Sequence, residues 1–494
     1  MSSPTLPAAG VTEPNTPAEH QLLRALGPGV AIAIVVGNVI GAGIFAKPSR
    51  IAADCGSFPL IITGWVLGGI ICLFGALCFA ELAAMLPRAG GMYVFLREAY
   101  GRPVGFLFGF NEYIFGRTAT NGALAVFFAS LSCGLFLPSN LAGNPWILAV
   151  VACLTISLLT SINIVGVVWG GHVQSLTTIV KVGFLALIAL LPFLFLGLDS
   201  HIVQWSNYLT TVEPQKKILT EQFAAILLSV MWAYNGWHDI APVAEEVRDP
   251  QRNIPLALIG GTLLLMLLYV SVNVAYHGVL SMSQIAGAPF KTAQLTIQRT
   301  LQPFGETWAQ WGSQGITAVT LCSVFGALNC NLMMGPRVAF AMARDRIFWR
   351  PLAHVHPKFR TPAVSLLTQA TMSCTLILTG TYLVLNVDSL KGEDLFELLT
   401  DFVVYSANIF YALCVLGVYV LRVRHPEWVR PYRTWGYPIV PALYLAGMSW
   451  FLWMAYFAKP FSSGVGLALM ALGLPMYGLI CVWNRIRLQR GLAE

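Results

Sequence analysis

Long apolar runs follow one another along almost the whole chain, and short polar segments separate them. An α-helix needs roughly 20 apolar residues to cross the hydrocarbon core of a bilayer. Helices are expected because that core offers no water to backbone N–H and C=O groups. We therefore predict an all-α polytopic membrane protein with twelve transmembrane helices, at residues 26–52, 58–86, 103–136, 146–168, 172–198, 220–246, 254–280, 308–344, 363–386, 398–421, 438–458 and 464–484.

The composition agrees with a chain that is solvated by lipid. Of its 494 residues, 56% are hydrophobic and only 10% are charged, whereas an ordinary soluble protein has about 25% charged residues. Residues 1–21 differ, because they are polar and rich in Pro, Thr and Ala. They lack the basic start and apolar core of a signal peptide, so we predict a disordered cytoplasmic tail.

Basic residues indicate the orientation of the spans. If both termini are cytoplasmic, 18 of the 29 Lys and Arg residues lie in cytoplasmic segments and six lie in external ones. Cytoplasmic loops of membrane proteins carry such an excess, so we predict a multi-pass protein of the cell membrane with both termini inside. The net charge of +7 then requires no nucleic-acid partner.

Two spans are interrupted at matching places. The first contains Gly37-Asn38-Val39-Ile40-Gly41-Ala42-Gly43, and the sixth contains Trp232-Ala233-Tyr234-Asn235-Gly236-Trp237-His238-Asp239. Each interior Gly costs a helix roughly 1 kcal/mol relative to Ala. Because the two spans are five apart, an inverted five-helix repeat would make them equivalent, and paired broken helices indicate a transporter's binding site. Close helix packing through small residues is the alternative reading.

Unwound backbone at mid-membrane depth exposes groups that lipid cannot satisfy, so such backbone is expected to line a cavity. The helical segment that begins near Gly43 directs N–H groups and a positive dipole end at the break, which suits a carboxylate. The segment that ends near Ile40 offers carbonyls, which suit an ammonium group. A site with both ends is shaped for a zwitterion.

Several stretches resemble the amino acid–polyamine–organocation (APC) superfamily, and within it the L-type amino-acid transporter branch. They are GNVIGAGIFAKPSRIA, WAYNGWHDIAPVAEEVRDPQRNIPLAL, FAELAAMLPRAGGMYVFLREAYG, VQSLTTIVKVGFLAL and FGALNCNLMMGPRVAFAMARD. The resemblance implies the LeuT-type fold of two inverted five-helix repeats plus two C-terminal helices. It places the first repeat at 22–200, the second at 201–424, and the last two spans with a short cytoplasmic tail at 425–494.

The resemblance also implies residue roles in substrate binding. Gly41, Ala42 and Gly43 would offer N–H groups to the substrate carboxylate, and Ala42 stands where relatives have Ser. The remaining walls would come from Val39, Ile40, Trp232, Ala233 and Asn235, with Trp232 as the gate. Asn235 stands where many relatives have Gly, and its side chain favours small or polar neutral substrates.

Lys181 lies inside the fifth span, where an ammonium group in lipid would cost several kcal/mol. The resemblance implies that it occupies the place of a sodium ion in sodium-coupled relatives and bridges to the first span and to the eighth near Asn329–Arg337. Transport would then be independent of sodium. A lysine that reaches the cytoplasmic surface is the structural alternative.

Four further charged or titratable residues lie at membrane depth. His238 and Asp239 follow Asn235 by one turn and are candidates for substrate specificity or a proton relay. Glu112 and Arg117 are five residues apart and therefore lie on different faces of a regular helix. We expect each of the second pair to have a partner on another helix, in a structural ion pair.

The sequence therefore predicts a sodium-independent exchanger of small or polar neutral L-amino acids. The alternatives are a proton-coupled amino-acid importer, a cationic amino-acid exchanger, for which Asp239 is the main acidic candidate, and a membrane amino-acid sensor. An enzyme is not expected, because the chain has neither H-E-x-x-H nor G-x-S-x-G.

Cysteine positions argue against covalent partners. The ten cysteines lie almost entirely in apolar runs without a C-x-x-C pair, so no metal site is expected; no cofactor is expected either. The loop after the third span, LPSNLAGNPW, has no cysteine. Animal L-type relatives use one there to bond a heavy chain, so no disulfide-linked heavy chain is expected.

Overall fold

The computed structural model describes residues 22, 24–197, 199, 201–215, 218–289, 291–387, 395–458 and 460–489. The tail predicted at 1–21 lies outside these residues. Within them, eleven helices are long and apolar enough to cross a membrane, and a shorter apolar helix supplies the sixth span. The spans are Pro28–Ala46, Phe58–Met85, Arg102–Phe136, Pro145–Val165, Trp169–Leu194, Leu219–Tyr234, Pro250–Val279, Glu306–Arg344, Ala363–Asn386, Tyr405–Arg424, Ile439–Phe457 and Gly466–Trp483. The predicted all-α architecture with twelve spans is confirmed.

Both predicted interruptions are present. In the first span, one helix ends at Val39 and the next begins at Gly43. In the sixth span, the α-helix ends at Tyr234, and turns lead to a 3₁₀-helix at Ala241–Glu246. The interruption lies within the predicted stretch 232–239, and the part of the span after it is a 3₁₀-helix instead of an α-helix. Gly236 explains the change of path, because its φ of 102° is unfavourable for residues with a side chain.

Spans that are five apart in sequence pack against each other. The second span packs along the seventh, the third along the eighth, and the fourth along the ninth. An inverted repeat produces such pairs, because its pseudo-twofold axis lies in the membrane plane and relates each span to its equivalent. Together with the interrupted first and sixth spans, this packing gives the LeuT-type fold.

A buried ion pair joins the end of the sixth span to the eighth. Arg337 is 0% exposed, and its Nε donates to Glu246 Oε1 at 2.9 Å. The Glu246 backbone carbonyl accepts the N–H groups of Ala25 and Leu26 at 3.0 and 2.9 Å. Glu246 therefore links the end of the sixth span to the start of the first span and to the last third of the eighth.

Replacement of one member of this ion pair should leave the other as a buried charge without a partner. We expect Arg337→Met to lower the free energy of unfolding by about 3–5 kcal/mol, because Glu246 keeps a buried charge without a counter-ion. The double variant Arg337→Met, Glu246→Gln should recover most of this loss. The measurement is thermal unfolding of the detergent-purified protein.

Arg344 provides the matched control. It pairs with Glu245 at 3.0 Å, but 32% of its side chain is exposed. Arg344→Met should change the free energy of unfolding by less than about 1 kcal/mol. Equal melting temperatures for the two Arg variants would contradict the special role of the buried pair.

Candidate binding cavity at the two helix breaks

A cavity lies where the two interrupted spans meet the third, eighth and tenth. Among the described residues, its walls are formed by Asn38, Val39, Gly41, Ala42, Gly43, Glu112, Gly116, Arg117, Thr120, Leu124, Trp232, Asn235, Gly236, His238, Asp239, Ala327, Asn331, Ala407 and Tyr411. Clefts with a few convergent polar groups are typical of small-molecule sites.

Most of the residues predicted for the site are brought together there. The eight that line the cavity are Val39, Gly41, Ala42, Gly43, Trp232, Asn235, His238 and Asp239. Ile40, Ala233 and Lys181 are outside the described lining. The tenth span contributes Ala407 and Tyr411 to the lining.

The Ile40 carbonyl already has two protein donors. That oxygen accepts hydrogen bonds from Lys181 Nζ at 2.9 Å and from Ser323 Oγ at 2.8 Å. A carbonyl oxygen has two lone pairs, so these two donors saturate it. The expectation that Ile40 contributes to the amino-group side of the site is therefore not supported by this geometry.

Lys181 is fully buried and binds the broken end of the first span. Its Nζ donates to the carbonyls of Gly37 at 2.5 Å and Ile40 at 2.9 Å. A cation is favourable at a helix C-terminus, where carbonyls have no intrahelical partner. Lys181 was predicted to bridge to the eighth span near Asn329–Arg337, but its Nζ lies beside Gly326, earlier in that span. Asn329 instead contacts Asn163 and the Gly170 carbonyl.

Tyr269 of the seventh span connects the two breaks. Its hydroxyl lies 2.9 Å from the Val39 carbonyl and 3.2 Å from the Ala233 carbonyl. The breaks also touch directly: a Cβ atom at Gly43 would lie 2.6 Å from the Ala233 Cα. Gly43 is therefore needed for close approach of the two helices, and Ala233 is part of that contact.

Glu112 and Arg117 contact each other, contrary to the prediction. Arg117 Nε donates to Glu112 Oε1 at 2.6 Å. The reason is a π-helical turn at Asn111–Gly116, whose hydrogen bonds join residues i and i+5. Residues five apart then share one face, which the geometry of a regular α-helix had excluded.

Arg117 also has the predicted partner on another helix. Its Nη1 donates to Asp239 Oδ2 at 2.9 Å and to Asn331 Oδ1 at 2.6 Å, and its Nη2 bonds Asp239 Oδ1. Asn38 donates to Asp239 Oδ2, and Asn331 donates to Asn38 Oδ1 at 2.9 Å. The network therefore joins the third, sixth, eighth and first spans at the cavity.

His238 is placed between this network and a group of aromatic rings. Its Nε2 lies 3.3 Å from Asp239 Oδ1, and its ring centroid lies 4.4 Å from that of Tyr411. The Tyr411 hydroxyl donates to Asn235 Oδ1 at 3.0 Å. Asn235 is therefore oriented by the tenth span.

Sequence reasoning did not assign Asn38, Asn331 or Tyr411 to the site. Asn38 lies within the glycine-rich run, and Asn331 is a buried amide in an apolar span. A polar side chain at membrane depth is itself a signal of function, and it would have identified both amides. Tyr411 gives no comparable signal, because tyrosines occur at many positions in apolar spans.

An inverted repeat with a mid-membrane cavity at its two broken helices defines a secondary-transporter fold. The chain belongs to the amino acid permease family, whose model matches residues 26–479. It is 32% identical over 464 residues to the Serine/threonine exchanger SteT of Bacillus subtilis (strain 168), across 93% of this chain and 97% of that protein.

Two mammalian relatives are similar over a comparable length. The Large neutral amino acids transporter small subunit 2 of Homo sapiens is 28% identical over 463 residues, across 94% of this chain and 81% of its own. The Asc-type amino acid transporter 1 of Mus musculus is 27% identical over 468 residues, across 94% and 82%.

Gly236 allows a test of the polar network without removal of a charge. A Cβ atom at this position would lie 2.3 Å from Asn38 Nδ2. We expect Gly236→Ala to displace Asn38 from Asp239 and to lower the melting temperature. Gly305→Ala is the control, because Gly305 has a similar φ of 113° with nothing within 4 Å of its Cβ position. Equal melting temperatures would mean that backbone strain alone acts at Gly236.

Proposed function

We propose that this protein is an amino-acid exchanger that moves small or polar neutral L-amino acids across the membrane by alternating access. The observation that carries the proposal is the cavity between the two broken helices, where backbone ends and polar side chains converge. The names of the relatives agree with it, since they include a serine/threonine exchanger and two amino-acid transporters. Both termini face the cytoplasm in this proposal, in line with the distribution of Lys and Arg.

The first break supplies the groups for the substrate backbone. Ala42 and Gly43 begin the helical segment Gly43–Ala46, and N–H groups in a first turn have no acceptor within their helix. They are the proposed donors to the carboxylate. Gly41 is a weaker candidate, because its N–H donates to the Val39 carbonyl at 2.7 Å. Val39 is a proposed wall of the site, and its carbonyl is already bonded to Gly41 N–H and the Tyr269 hydroxyl. Trp232 is the proposed gate.

Both carboxylate oxygens of Asp239 already have protein partners, which suits a substrate with a neutral side chain. Its two oxygens face Arg117, Asn38 and His238. A cationic side chain would have to displace the guanidinium of Arg117 from this carboxylate. The geometry thus disfavours the cationic exchanger, which relied on Asp239 as a free acceptor.

Lys181 supports sodium-independent exchange in this proposal. Its ammonium group already neutralises the carbonyls of the broken first span, which is the function that a bound sodium ion would otherwise serve. No disulfide-linked heavy chain is part of the proposal, because the loop LPSNLAGNPW has no cysteine and Cys133 before it is buried.

Exchange can be tested in proteoliposomes with a panel of labelled L-amino acids. Uptake should occur only into vesicles preloaded with a neutral amino acid, and replacement of sodium by choline should not change the rate. Uptake into empty vesicles driven by a proton gradient would replace the exchanger by a proton-coupled importer. Saturable binding without uptake would instead favour a sensor.

Lys181→Ala should abolish exchange while the protein remains folded. The Gly37 carbonyl would lose its donor, and an unpaired buried polar group costs about 1–3 kcal/mol, so the break should rearrange. We expect a fall of about tenfold or more in exchange rate, read at equal amounts of reconstituted protein. Lys291→Ala, at an exposed position, is the control. A wild-type rate for Lys181→Ala would refute the assigned role.

A further inference from the structure

His238 carries a polar atom that neither the fold nor the network uses. The residue is 2% exposed and lines the cavity. Its Nδ1 is buried and has no hydrogen-bond partner among the described residues. Most buried polar side-chain atoms are paired, and those that are not require an explanation. Because His238 is one of the residues that line the cavity, a ligand bound there is the candidate partner for this atom.

Asp239 determines whether this nitrogen donates or accepts. An ionised carboxylate is an acceptor only, and Arg117 and Asn38 hold Asp239 in place. The His238 nitrogen that faces it, Nε2 at 3.3 Å, must therefore carry the hydrogen. In a neutral imidazole the other nitrogen is then an acceptor. Nδ1 consequently offers a lone pair that has no donor among the described residues.

A lone pair selects among substrate side chains by chemistry. An apolar side chain leaves the acceptor unpaired, and an ionised carboxylate has no hydrogen to donate. A cation is disfavoured by Arg117, which is bound to the same carboxylate as His238. A neutral hydroxyl is small, and it donates one hydrogen bond.

We propose that His238 Nδ1 is the acceptor for a side-chain hydroxyl of the transported amino acid, held in its tautomer by Asp239. This inference rests on the proposed exchange function and specifies its substrate class. A site built to bond a hydroxyl discriminates strongly against an analogue that lacks it. Serine should therefore be preferred over alanine, and threonine over valine, which has nearly the same shape.

The test is competition against labelled serine exchange in proteoliposomes, with unlabelled serine, alanine, threonine and valine. In the wild-type protein, serine should compete at least about tenfold better than alanine, and threonine better than valine by a similar factor. His238→Phe retains a planar ring and removes the acceptor. In that variant, labelled alanine is the tracer. The preference for serine over alanine should fall to about one, because the affinity for serine falls while the affinity for alanine is unchanged.

Two further variants separate the bond from general disturbance. His238→Asn retains an amide acceptor close to the original Nδ1 and should preserve part of the preference. His277→Phe alters a second buried histidine, which also has an unpaired Nδ1 among the described residues but lies outside the described cavity lining. The preference of the His277→Phe variant for serine over alanine should equal that of the wild-type protein.

Equal competition by serine and alanine in the wild-type protein would overturn the hydroxyl site while leaving the exchanger intact. An unchanged preference in His238→Phe would do the same. Failure of every amino acid to exchange or bind would overturn both proposals together.

Discussion

The need to satisfy backbone groups at membrane depth governs this structure. Where the first and sixth spans are broken, carbonyls lose their intrahelical donors in a region without water. Three side chains from other spans replace those donors: Lys181, Ser323 and Tyr269. Because each comes from a different helix, the packing of the fifth, seventh and eighth spans is directed at the breaks. These donors hold the broken ends in place beside the cavity.

Charges at the cavity obey the same requirement. Arg117 meets Glu112 on its own helix and Asp239 on another, so its guanidinium is surrounded by acceptors. Burial of an ion pair in a region of low dielectric is favourable only when the other hydrogen-bonding groups of both partners are also satisfied. Asn38 and Asn331 provide these additional hydrogen bonds. The same arrangement occupies Asp239 and fixes His238, so the electrostatics of the fold and the selectivity of the cavity depend on the same residues.

Local sequence patterns were sufficient for the twelve spans and for the positions of both breaks. Glycines beside polar residues in an apolar run are visible without any knowledge of the fold, and eight of the proposed site residues line the cavity. The failures had two causes, one tertiary and one in the local backbone. The Ile40 carbonyl is occupied by donors more than one hundred residues away, which no local pattern reports. The contact between Glu112 and Arg117 was excluded by a rule that assumes 3.6 residues per turn, and a π-helical turn does not obey it.

That turn has a consequence for the whole third span. One extra residue in a helix changes the angular phase of everything after it by about 100°. The helix from Arg117 to Phe136 is thus offset from the phase that Arg102–Phe110 would have set. The π-helical turn contributes Glu112 and Gly116 to the cavity wall, and the helix after it contributes Arg117, Thr120 and Leu124. A single inserted residue therefore allows one continuous span to serve two differently oriented surfaces, without the loss of backbone bonds that a break would impose.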